Sequence, residues 1–110
     1  MAYQNLIAAK LGQGALNTST TNYYICPAST QTYVKDIDIC NTSAGSITVT
    51  VYIVPNGSTA SAANALFYNA TLPVASTLQW TGSQIMNTGD SIQASSTASA
   101  SIVISGAQAT

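Results

Sequence analysis

Histidine, arginine and glutamate are absent from this 110-residue chain, and its charged residues are Lys10, Lys35, Asp36, Asp38 and Asp90 alone. Without histidine there is no base for a serine-based catalytic triad, and no histidine or arginine is present to lower the pKa of a cysteine thiol. Two lysines cannot neutralise a track of phosphates, so nucleic acid is a poor partner. These absences predict a protein that is not an enzyme and does not bind nucleic acid.

Targeting and cofactor signals are also missing from the sequence. No basic leader precedes an apolar core near residue 1, and no apolar run approaches 18 residues. Two cysteines without histidine are too few for a four-ligand zinc site. We therefore expect no secretion, no membrane span, no cofactor and no metal.

What the sequence does contain is alternation typical of β-strands, clearest between Tyr33 and Gly57. There the apolar residues Ile47, Val49, Val51 and Ile53 alternate with Thr48, Thr50, Tyr52 and Val54. Thr42 to Ser46 supplies a turn before this strand, and Pro55 ends it. The pattern predicts that Tyr33–Gly57 forms a β-hairpin at the centre of the fold.

The remaining segments add further short strands, separated by proline, glycine and asparagine turns. Seven or eight strands without a convincing helix predict an all-β fold, an antiparallel β-sandwich of jelly-roll type. The expected core is Ile25, Ile37, Ile39, Val49, Val51, Ile53, Leu66, Tyr68, Leu72, Leu78, Trp80, Ile92, Ile102 and Ile104.

The N-terminal segment is interpreted separately from the sandwich. Residues 1–13 are expected to form an arm or edge segment, and residues 14–110 a single β-sandwich domain with a strand near Ala15 to Thr20. Leu6, Ile7 and Leu11 have no obvious place in a small core, so we interpret them as interface candidates. Because a soluble monomer normally carries many more charges, we expect much of the surface to be covered by copies or a partner.

Three constellations admit a chemical interpretation beside a structural one. Asp36 and Asp38 share one face of a strand and are expected to be solvated, with a calcium site that includes Asn41 as the alternative. Cys26 and Cys40 are expected to be reduced, buried thiols, with a disulfide between them as the alternative. Trp80 is expected in the core, with a sugar-binding platform of Trp80 and tyrosines as the alternative.

Several of these segments together resemble small virion proteins of tailed bacteriophages. The resemblance covers roughly residues 14–106 and is carried by the segments Tyr24 to Ala28, Val34 to Ala44, Val49 to Gly57, Ala65 to Asn69 and Gly89 to Ala94. It implies a β-sandwich that decorates or cements a phage head, with a neck, tail or fibre component as the alternative. The chief rival to this interpretation is a carbohydrate-binding module for host attachment. The resemblance also implies a homotrimer on the major capsid protein or another virion protein, made in the host cytoplasm and located in the virion.

Overall fold

Residues 5–110, which the computed structural model describes, form eight β-strands and a short 3-10 turn at Ala62–Asn64. The strands are β1 (Leu6–Ala15), β2 (Thr21–Ile25), β3 (Gln31–Asn41), β4 (Ile47–Val54), β5 (Ala65–Leu72), β6 (Thr77–Met86), β7 (Ser91–Ser96) and β8 (Ala100–Ala109). One sheet has the order β1-β8-β3-β6 and the other β2-β7-β4-β5, and all neighbours are antiparallel. Eight strands in two such sheets form a jelly roll, which confirms the predicted fold class.

The core lies between the two sheets, because each strand turns every second side chain inward. Ile37, Ile39, Ile102 and Ile104 of the first sheet and Ile92 of the second are fully buried there. Val49 and Val51 complete the centre of the second sheet. Burial of each side chain of this size contributes roughly 1.5–3 kcal/mol.

The predicted Tyr33–Gly57 hairpin is wrong, because its two strands belong to different sheets. β3 pairs with β6 and β8, whereas β4 pairs with β5 and β7. The Thr42 to Ser46 connection therefore carries the chain across the sandwich. Alternation identifies the buried face of each strand but not its neighbour, so both arrangements fit the same pattern.

Two members of the expected core lie on the surface instead, namely Ile25 and Tyr68, which are both exposed. The other expected core residues are buried or pack against the core. Leu11, Leu16, Cys26, Val34, Val54, Met86, Ala94 and Ala100 are buried in addition.

The N-terminal segment forms an edge strand, one of the two expected arrangements, but its bounds differ from those expected. β1 spans Leu6–Ala15 without a break at residue 13, and residues 16–20 connect it to β2. It is an edge strand that pairs with β8 over its whole length, with Leu6 opposite Ala109 and Ala15 opposite Ser101.

At each end of the sandwich, one polar side chain holds the connecting loops together. At one end the Asn41 amide donates to the carbonyls of Gly45, Leu72 and Pro73, at 2.9–3.0 Å, and its oxygen accepts from Ser43. At the other end the Asp90 carboxylate accepts from the backbone N–H groups of Asn56 and Asn87, both at 2.9 Å. These contacts join the connecting loops to one another.

Candidate interaction surfaces

The predicted interface residues Leu6, Ile7 and Leu11 do not share one environment. Leu6 and Ile7 are 64% and 61% exposed at the start of β1, whereas Leu11 is only 8% exposed and belongs to the core cluster. Leu11 occupies a bulge in β1, where the register shifts between Lys10 and Gly12, and its side chain lies over Gly106. Leu6 and Ile7 therefore remain as interface candidates, and Leu11 is a core residue.

The four edge strands all carry an irregularity that interrupts pairing. Register shifts occur in β1 at Leu11, in β2 near Tyr23, in β5 around Tyr68 and Asn69, and in β6 at Gly82 and Ser83. Bulges of this kind protect exposed edges from adding another strand. Before its bulge, however, β1 has a regular apolar stretch, Leu6-Ile7-Ala8-Ala9, whose outer edge has no neighbour among residues 5–110.

Large exposed apolar side chains gather toward one end of the sandwich. Of the six that residues 5–110 expose, Leu6, Ile7, Ile25 and Ile85 lie near the end that holds residues 5 and 110. Asn5 and Thr110 pair there through two backbone hydrogen bonds of 3.0 and 2.9 Å. We call this the apolar end, and it includes both ends of the described chain.

The aromatic residues divide between core and surface. Trp80 is only partly exposed, packs against the core and lies over Gly82. The alternative of a sugar-binding platform built on Trp80 is therefore wrong. Tyr68 is exposed, and its ring meets Tyr52 edge to face with 6.5 Å between centroids. This pair lies on the second sheet and is the surface feature of residues 5–110 that best suits a planar ligand.

Asp36 and Asp38 lie side by side on the outward face of the first sheet. Partial burial, a hydrogen bond to Asp36 and the charge of Asp36 raise the pKa of Asp38 above its ordinary value. Lys10 and Lys35 do not relieve the pair, since they donate to Gln13 and Ser83. One oxygen of Asp36 is buried without a hydrogen-bond partner within residues 5–110.

The alternative calcium site is wrong, because Asn41 turns inward to the loops and does not join Asp36 and Asp38. Among residues 5–110 no group of three or more histidine, cysteine, aspartate or glutamate side chains could hold a metal ion. The described residues form no surface pocket, and no helix among them is long and apolar enough to cross a membrane.

Both cysteines are free thiols, and the alternative disulfide between them is wrong. Cys26 is buried, with its sulfur 3.2 Å from the Thr32 hydroxyl. Cys40 lies eight residues beyond Thr32 on β3, which corresponds to roughly 26 Å along a strand. A disulfide needs Cα atoms within about 7 Å, so these two sulfurs cannot bond.

Sequence reasoning missed Ile25, Tyr68 and Ile85 as surface residues. In Tyr23-Tyr24-Ile25-Cys26 both alternating sets are apolar, so the sequence does not show which set is buried. The structure buries Cys26 and turns Ile25 outward. A usable signal existed for Ile85, whose neighbours Gly82, Ser83 and Gln84 indicate an exposed edge.

Comparison with protein-family models finds no family that matches this chain. Comparison with curated proteins finds no match either.

Comparison with solved structures does find chains of similar fold. A chain of the Bacillus endospore appendages, which form a family of disulfide-linked pili, is 14% identical with a TM-score of 0.54, and the match covers 100% of this chain and 94% of that one. A chain of infectious bursal disease virus, Gx strain, is 10% identical with a TM-score of 0.40, over 98% of this chain and 32% of that one. The first likeness supports the two-sheet fold, and the tailed-phage part of the resemblance stays a prediction.

Proposed function

We propose that this protein is a non-enzymatic structural subunit that docks onto a larger protein assembly through its apolar end. The observation that carries the proposal is the concentration of exposed Leu6, Ile7, Ile25 and Ile85 at one end of an almost uncharged sandwich. Large apolar groups gathered in this way are typical of protein-protein contact sites. A chain of similar fold in the Bacillus appendages belongs to a pilus, which supports an assembly role for this fold.

The assembly that the sequence resemblance favours is the head of a tailed bacteriophage. In that setting the protein would bind the outside of the shell as a decoration or cement protein and stabilise it, and it would be found in the virion. Neck, tail and fibre positions are the alternatives within the same particle.

A disulfide-linked fibre is less well supported by the chain itself. Head-to-tail linkage by disulfides needs two accessible thiols in each subunit. Cys26 is buried at 2% exposure, which leaves Cys40 as the accessible thiol of this sequence. We therefore propose non-covalent docking.

Docking can be tested with two matched substitutions at opposite ends of the sandwich. Ile85 at the apolar end is 57% exposed, and Val74 in the β5–β6 turn at the far end is 51% exposed. We expect Ile85→Thr to reduce cosedimentation with purified particles that lack the protein, and Val74→Thr to leave it unchanged. Equal binding by both variants and the unchanged protein would contradict docking through the apolar end.

The position on the particle is tested separately by electron microscopy with an antibody to this chain. Regular labelling over the head would support decoration. Labelling at one vertex or at the tail tip would instead indicate a neck or fibre component.

A second candidate function is carbohydrate binding on the second sheet. It is favoured by the exposed Tyr68 and its edge-to-face partner Tyr52, because sugars stack on exposed aromatic rings. Tyr68→Ala should then abolish retention on immobilised host polysaccharide, while Trp80→Phe should not. If the unchanged protein shows no retention on any host polysaccharide, this candidate fails.

A further inference from the structure

We infer that two copies of this protein pair symmetrically along the first five residues of β1, with Ala8 on the two-fold axis. This inference deepens the proposed function and rests on it for its biological setting. It assigns Leu6 and Ile7 of the apolar end to a contact between copies, and it leaves Ile25 and Ile85 of that end for docking onto the larger assembly.

The backbone of β1 offers free hydrogen-bonding groups at the right positions. Asn5 and Thr110 exchange both of their backbone hydrogen bonds, so they form a hydrogen-bonded pair of the β1–β8 ladder. In an antiparallel ladder such pairs alternate with pairs that do not exchange hydrogen bonds. With Leu6 opposite Ala109 and no register shift before Lys10, the residues Leu6, Ala8 and Lys10 therefore turn their N–H and C=O groups away from β8.

The bulge fixes how far a second strand can pair and which residue stands at the centre. Regular pairing ends at Lys10, because the next residue, Leu11, is the bulged one. The regular stretch is Leu6–Lys10, and its middle residue is Ala8. When two such stretches pair antiparallel about Ala8, the three outward N–H groups of each chain all find carbonyl partners, which gives six hydrogen bonds.

Side chains in this register are complementary in size, and the two like charges are kept apart. Ile7 faces Ala9 of the second copy, and Leu6 faces Lys10, whose apolar stem can cover it. Large residues thus meet small or flexible ones, and the two Ala8 side chains meet at the axis. The two lysines stand about 14 Å apart, beyond the screening length of about 8 Å at physiological salt.

The contact is small, so it is expected to be weak unless many copies are held together. Five residues per chain is well below the 20–30 residues per side of a standard interface. We therefore expect a dimer whose population depends on protein concentration. Copies held at neighbouring positions on a larger assembly would pair far more readily, because their effective concentration is high.

The register can be tested by disulfide cross-linking in a Cys40→Ser background. Ile7 and Ala9 of opposite copies form a close pair with Cα atoms about 4.5 Å apart, whereas equivalent residues of two copies stand about 7–8 Å apart. A mixture of Ile7→Cys and Ala9→Cys proteins should cross-link into a dimer on mild oxidation, and each variant alone should not. No cross-linking in the mixture, or equal cross-linking of each variant alone, would overturn this register.

The backbone contact can be tested with proline at position 8. The Ala8 N–H points away from β8, so Ala8→Pro removes bonds to the second copy but none to β8. Two of the six hydrogen bonds are lost, so we expect the dimer Kd to rise about tenfold or more by sedimentation equilibrium. Ala8→Ser keeps the N–H group and should leave the Kd unchanged, and an equal effect of both substitutions would overturn the inference.

The two proposals fail in different ways. If the mixture of Ile7→Cys and Ala9→Cys proteins cross-links but does not bind particles, the symmetric contact is supported and the docking function is contradicted. Particle binding by an Ala8→Pro protein that is monomeric would support docking through the apolar end independently of dimers. A solution mass of three subunits, as the phage resemblance implies, would overturn two-fold pairing.

Discussion

Single side chains hold the connecting loops in place at the two ends of the sandwich, and Asn41 shows this most clearly. It is 3% exposed and serves three carbonyls from two loops while accepting two hydrogen bonds from Ser43. The loops at this end therefore depend on one amide.

We expect Asn41→Ala to lower the free energy of unfolding by about 2–3 kcal/mol, because buried carbonyls lose their donor. Urea denaturation measures the difference. Asn22→Ala is a matched control at an exposed position of β2, where the change should stay within about 0.5 kcal/mol. If the two variants are equally stable, the amide contacts do not fasten the loops.

The acid pair on the first sheet should weaken the fold at neutral pH. The pKa of Asp38 is raised in the folded state, so the folded protein binds a proton more tightly than the unfolded chain. The stabilisation that comes from protonated Asp38 is therefore fully present below the ordinary pKa of 3.8. It is lost as the pH rises through the raised pKa of Asp38 in the folded protein.

Asp38→Asn should remove that pH dependence and stabilise the protein slightly at pH 7, by less than about 0.5 kcal/mol for a partly exposed group. Near pH 3 the variant and the unchanged protein should be equally stable. Thermal unfolding at the two pH values checks both statements, and a variant that is less stable at pH 7 would contradict the repulsion between Asp36 and Asp38.

At the scale of elements, the close approach of β1, β8 and β3 depends on Gly106. A Cβ built on Gly106 would clash with the Tyr33 carbonyl oxygen on β3 and would stand 3.2 Å from the Leu11 side chain on β1. The bulges of β1 and β3 meet at this point, where Gly106 lies opposite Ala9 on one side and Val34 on the other. No side chain fits between the strands here.

Gly106→Ala should consequently reduce the free energy of unfolding by about 1–3 kcal/mol, since the strands must separate to admit the methyl group. Gly14→Ala is the control, because no heavy atom lies within 4 Å of its added Cβ. Chemical denaturation of the two variants gives the comparison. A Gly106→Ala protein as stable as the Gly14→Ala protein would show that the bulge region adapts freely.

The sequence predicts the faces of the strands better than their partners, and individual residues show why. Val49 and Val51 alternate with Thr48, Thr50 and Tyr52, which is sufficient to place them in the core. The separation of β3 from β4 depends on contacts between distant segments, and the short connection between them gives no local sign of it. The sequence places Ile25 in the core because its neighbours Tyr24 and Cys26 are apolar too. It leaves Leu11 outside the core because it does not show the bulge that turns this side chain inward.

For the molecule as a whole, the near absence of charge should determine how association responds to salt. With two lysines and three aspartates in 110 residues, long-range electrostatic attraction contributes little to contacts between copies or with a particle. Apolar contacts and backbone hydrogen bonds remain, and these are only weakly affected by screening.

We expect the dimer Kd to change by less than about threefold between 0.05 M and 1 M sodium chloride, where the Debye length is only about 3 Å. Sedimentation equilibrium at the two salt concentrations measures it. A much weaker association at 1 M salt would show that Lys10 or Lys35 contributes to the contact through its charge.

The position of β8 between β1 and β3 also has a consequence for folding kinetics. Among residues 5–110, β1 pairs with β8 alone, and this pairing joins Leu6 to Ala109, which are separated by almost the whole chain. On a ribosome the first sheet cannot assemble until residues 100–109 have emerged, so β1 waits unpaired while the rest of the chain is made. A topology with such distant pairings folds on the slow scale of milliseconds to seconds. During that interval the apolar start of β1 is open to strands of neighbouring nascent chains, which makes it the segment where chaperone protection during synthesis matters most.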